Sequence, residues 1–129
     1  MDLFSISNLN AFDDKILPYI YYEHLLAAYL GSYPENRNDF VLNPIQIDFQ
    51  ALKGRFPENI TLLFGSADPM RDDMMRLGEK ITRAGDYNIK VYEIKYMPHG
   101  FLNMDNDHMF PEVGKVNELI SKEIIDTVL

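Results

Sequence analysis

The chain has no cysteine, few basic side chains and no long apolar run. Each absence excludes something. Without cysteine there is no disulfide, no thiolate metal site and no cysteine nucleophile, and the composition fits a reducing compartment. The 12 basic and 20 acidic side chains give a formal net charge of −8. Nucleic acids and anionic membranes need a basic face on their partner, and no basic run supplies one here. No stretch approaches the roughly 18 consecutive apolar residues of a transmembrane segment. The start, Met1-Asp2-Leu3-Phe4-Ser5-Ile6-Ser7, lacks the basic residues and apolar run of a secretory signal, so a cytoplasmic location is expected. There is no internal repeat and no low-complexity tract.

What is present suits one modest domain: 129 residues, 47% hydrophobic and 25% charged. Residues 1–54 read as a helical and loop lead-in. A helix is predicted over 18–30, with Pro18 in its first turn and Gly31 as its stop. Polar residues 32–39 form a loop, and 48–52 form one helical turn capped by Asp48 and ended by Gly54. Residues 55–129 alternate between strand and helix. The apolar run at 60–64 and the segment 89–94 read as buried parallel strands. Between them a helix over 71–84 carries Asp72 and Asp73 in its first turn, a stripe of Leu77, Ile81 and Ala84, and Gly85 as its stop. Pro111 opens a last helix, in which Val113, Val116, Leu119, Ile120, Ile124 and Val128 recur at spacings of three and four. The fold class is α/β, with a crossover helix between parallel strands. Two parallel strands are too few for an independent sheet, so the sheet is expected to be incomplete.

Two residues at strand ends carry the chemical interest. Asp68 follows the first strand and precedes Pro69, which keeps it out of helical geometry at a strand-to-helix junction. The plain alternative is an Asp that caps the next helix. His99 follows the second strand between a stiff Pro98 and a small Gly100. The plain alternative is an exposed loop histidine. His24, inside a helical pattern, and His108, in a polar loop, have weaker cases. One helix and one strand separate Asp68 from His99. Adjacent parallel strands would therefore bring the pair side by side, with the carboxylate orienting an imidazole general base.

Phe64-Gly65-Ser66-Ala67-Asp68-Pro69-Met70-Arg71-Asp72-Asp73 and Met97-Pro98-His99-Gly100-Phe101-Leu102-Asn103 together resemble the C-terminal part of the hormone-sensitive-lipase family of α/β-hydrolases. Ser7-Asn8-Leu9-Asn10-Ala11-Phe12-Asp13-Asp14-Lys15-Ile16-Leu17-Pro18-Tyr19 and Asn43-Pro44-Ile45 add a looser likeness. The resemblance implies the C-terminal portion of an α/β-hydrolase fold and a serine carboxylesterase or lipase activity. It implies Asp68 as the triad acid and His99 as the base. Asp73, Gly100 and Phe101 would be supporting positions, with Asp73 aiding the helix start and not the chemistry. The chain departs from the family in having no Gly-x-Ser-x-Gly elbow and no His-Gly-Gly-type oxyanion loop. In complete members both lie upstream of this part. Alone, the chain is expected to be inactive.

No cofactor or metal is implied. Asp105-Asn106-Asp107-His108 lacks the glycine and distal glutamate of a calcium loop and reads as a solvated loop. Met70, Met74, Met75, Met97, Met104 and Met109 cluster in sequence around the pair, either as an acyl pocket or as core filling. The expected partners are an ester or lipid substrate once the site is complete, and either an upstream hydrolase segment or a second copy of the chain. The alternative function is a non-catalytic remnant that serves as a binding or oligomerisation module.

Overall fold

Ile60, Leu62 and Phe64 alternate with Thr61, Leu63 and Gly65, so strand β1 (Asn59–Gly65) presents an apolar set to each of its faces. A computed structural model of the chain describes residues 6, 19–31, 43–104 and 110–128. In it, β1 pairs in parallel with β2 (Asn88–Ile94), in register from Asn59 opposite Asn88 to Gly65 opposite Ile94. Both strands begin at or just before the predicted positions. Among the described residues the sheet has two strands.

A helix covers each face. The lead-in helix α1 spans Tyr19–Leu30, the crossover helix α2 spans Arg71–Ala84, and α3 spans Glu112–Val128. The α2 stripe of Leu77, Ile81 and Ala84 packs with Ile60, Leu62 and Ile89. The α3 residues Val113, Val116 and Ile120 pack on the other side with Leu63, Ile94, Met97 and Phe101. Gly85 ends α2 with φ +80°, a left-handed stop that glycine adopts without a side-chain clash. The architecture is a mixed helix–strand unit compatible with part of an α/β fold.

The lead-in to β1 is fastened to α2. Phe49, Phe56 and Tyr87 meet edge to face, with ring centroids 5.6–6.2 Å apart. The Tyr87 hydroxyl donates to the Phe49 carbonyl at 2.7 Å, and Lys80 Nζ donates to the Ile45 carbonyl at 2.7 Å. Here the structure corrects the predicted helical turn at 48–52. Asp48 Oδ1 does accept from the Gln50 and Ala51 amides, as a cap would. Residues 49–55 nevertheless form successive turns, and a short 3₁₀ turn lies earlier, at Pro44–Gln46. Phe49 is buried and Phe56 packs against it.

Helix α1 takes the predicted position and stops at Gly31, whose amide donates to the Ala27 carbonyl at 3.0 Å. Among its described side chains, Ile20, Tyr21, Leu25 and Tyr29 are each more than half exposed. Asp13, Asp14, Pro18 and the 32–39 loop lie outside the described residues. Among the described residues no helix is long and apolar enough to cross a membrane.

Candidate functional site

Beyond the last sheet pair, Gly65 and Ile94, the two strand exits remain laced together. The Ser66 amide donates to the Ile94 carbonyl at 2.9 Å, and the Ala67 amide donates to the Met97 carbonyl at 3.1 Å. From the other exit, the Tyr96 amide donates to Ser66 Oγ at 2.8 Å. The crossing is close enough that a Cβ on Gly65 would sit 1.9 Å from the Met97 carbonyl oxygen. Tyr96 has φ +63°, the one positive φ outside glycine among the described residues. For an L-residue that conformation costs about 1–2 kcal/mol. The Tyr96 side chain is 83% exposed, so its own burial does not offset the cost.

The lacing delivers Asp68 and His99 to one place. Asp68 is buried, with its amide donating to the Gly65 carbonyl and its carbonyl accepting from the Arg71 amide. Its Oδ1 accepts the Met70 amide at 2.8 Å. His99 Nδ1–H donates to Oδ2 at 2.9 Å. Asp68 therefore holds an imidazole and braces the turn before α2, but it is not the helix cap, which is Met70.

His99 is gripped from both sides. Pro98 is buried before it, while Gly100 at φ +71° turns the chain into a short 3₁₀ turn. Phe101, only 4% exposed, anchors that turn in the cluster beneath α3. Arg71, at the start of α2, reaches across to Glu93 on β2, with Nε 2.7 Å from Oε1, and also bonds Asp72 at 3.2 Å. Asp73 is buried in the first turn of α2.

No protein-family model matches the chain, and no curated protein matches it. The chemistry of the site follows from its geometry.

With Nδ1–H committed to Asp68, the neutral imidazole carries its basic lone pair on Nε2. The hydrogen bond to Asp68, reinforced by the carboxylate's charge, holds His99 above the ordinary histidine value of 6.5 against the opposing effect of partial burial. A raised folded-state pKa means that the folded chain binds this proton more tightly than the unfolded chain does. The stability so gained is complete below about pH 6.5 and is lost as pH rises through the folded-state value. The denaturation midpoint of the wild type should therefore exceed that of His99→Gln by more at about pH 6 than at about pH 8.5. Equal differences at the two pH values would remove the ionic component of the pair.

The remaining candidates sort differently once placed. Met97 belongs to the cluster beneath α3, whereas Met74 packs on the opposite face of the sheet. Met97 and Met74 therefore do not share one pocket, and Met75 is exposed on α2. His24 is exposed on α1. Met109 and the residues 105–108 lie outside the described residues. Among the described residues no group of three or more His, Asp or Glu is placed to hold a metal ion. Three features went unread in the sequence: the Ser66–Tyr96 tether, the left-handed Tyr96 and the close approach at Gly65. For the last, a glycine at a strand exit was the available signal.

Proposed function

We propose that this chain is the acid-and-base portion of a serine carboxylesterase or lipase of the hormone-sensitive-lipase type. The observation that carries this reading is the 2.9 Å contact between a buried Asp68 carboxylate and the Nδ1 of His99 at the ends of adjacent parallel strands. An upstream hydrolase segment, in the same gene or on another chain, would contribute the serine and the oxyanion donors. His99 Nε2 would then accept the serine hydroxyl proton as the oxygen attacks the ester carbonyl, and would pass that proton to the departing alcohol. Asp68 stays ionised throughout, orienting the ring and steadying the imidazolium. Ser66 is unsuited to the nucleophile's role, because it lies on the same strand exit as Asp68 and its oxygen accepts the Tyr96 amide.

The test is hydrolysis of short acyl esters. The 129-residue chain alone should match an inert-protein control, since its sequence has no Gly-x-Ser-x-Gly elbow and no His-Gly-Gly-type oxyanion loop. Expressed with a segment from the same locus bearing Gly-x-Ser-x-Gly, it should become active and sensitive to serine-directed inhibitors. Turnover by the chain alone that resists those inhibitors, or an assembled protein without turnover, would overturn the reading.

One observation favours a second role in association. A largely apolar groove of about 510 Å³ runs along Leu62 and Leu63 of β1, between Met74 of α2 and Leu119, Ile120 and Ile124 of α3. Strand edges and apolar grooves of this kind associate. The purified chain should form a dimer or larger species at micromolar concentration, and a stable monomer in light scattering would count against this role.

A further inference from the structure

We infer that Ser66 is a positioning residue for the Asp68–His99 pair, acting through the left-handed turn at Tyr96. This inference rests on the reading of Asp68 and His99 as an acid–base pair. His99 reaches Asp68 only because the β2 exit bends back towards the β1 exit, and the bend is at Tyr96. An exposed tyrosine does not favour that backbone shape by itself. Its conformation must be held by its backbone partners, and Ser66 Oγ is the one that receives its amide, at 2.8 Å. The next contact along the same exit, the Met97 carbonyl accepting from Ala67, then fixes the peptide two residues before His99. Ser66 is thus the first point at which the β1 exit captures the β2 exit through a side chain. Without its oxygen, the Tyr96 amide loses its acceptor, and the turn is left with the longer 3.4 Å bond from the Met97 amide to the Ile94 carbonyl and the backbone bonds between the exits.

The test reads the ring nitrogens of His99 by NMR in the whole chain. A His99→Gln spectrum assigns the signal among the 3 histidines. In the wild type, His99 should titrate above 6.5, with its neutral ring protonated at Nδ1. In Ser66→Ala, at least half of that displacement should disappear and the Nδ1–H form should give way to the usual tautomer mixture. Adding Tyr96→Gly to Ser66→Ala should restore both signatures, because glycine adopts the left-handed turn without help. Thr82→Ala, which removes a comparable hydroxyl bond to the Gly78 carbonyl in α2, should leave His99 unchanged. Three results would overturn the inference: a wild-type titration in Ser66→Ala, no restoration by glycine, or an equal shift in Thr82→Ala. Asp68→Asn separates the two levels. If it lowers the His99 titration while Ser66→Ala does not, the pair stands and the role of Ser66 falls. If even Asp68→Asn has no effect, the pairing itself fails, and the inference with it.

Discussion

In the proposed serine esterase, Asp68→Asn should lower ester turnover by about 10⁴-fold, with little effect on substrate affinity. The asparagine keeps one carbonyl oxygen, which can still accept the Met70 amide and close the turn into α2. What changes is the partner offered to His99. An amide NH₂ facing Nδ1 is a donor, so the imidazole must present a lone pair there and carry its proton on Nε2. The nitrogen needed as a base is then occupied. The lost negative charge also withdraws support from the imidazolium as it forms. His99→Ala should cost at least as much, because the base itself is gone. Initial-rate kinetics decide the matter. Residual activity within about tenfold of the wild type would mean that the pair does not carry the reaction.

Gly65→Ala should destabilise the fold by about 3 kcal/mol, the upper range for forcing extra atoms into a packed site. The added carbon would lie 1.9 Å from the Met97 carbonyl oxygen. That oxygen belongs to backbone, so no rotamer change relieves the clash, and the strand exits must part. Parting them breaks the bond from the Ala67 amide to the same oxygen. Gly114→Ala provides the contrast. Its Cβ meets nothing within 4 Å on α3, so that substitution should stabilise the helix by about 0.5–1 kcal/mol. Denaturant midpoints of the two variants should move in opposite directions. A Gly65→Ala loss under about 1 kcal/mol would show that the exits separate easily.

Much of this architecture was legible from the chain. The short apolar run Ile60-Thr61-Leu62-Leu63-Phe64 between turn residues reads as a strand, with Leu62 and Phe64 buried, and Gly85 marks the end of α2. The meeting of Asp68 and His99 was legible because two strand-end residues, one helix and one strand apart, must converge if the strands are parallel neighbours. The catalytic role assigned to them remains a proposal built on that meeting. Other features left weaker traces. Tyr96 is neither glycine nor asparagine, so nothing in its identity announces a left-handed turn. Ser66 reads as an ordinary turn residue, and only a partner 30 positions away reveals its use. Helix α1 is apolar on every side, so its periodicity could not say which residues would be covered.

The level register of the strands has an evolutionary corollary. Gly65 and Ile94 sit opposite each other, yet Asp68 follows after three residues and His99 after five. Two arms of unequal length meet at one point, and the kink at Tyr96 takes up the slack of the longer. Neither arm can gain or lose a residue without the other being redrawn. Insertions and deletions should therefore be excluded from both arms, even in descendants whose residue types have drifted. Arm length, more than sequence identity, would be the durable signature of this site.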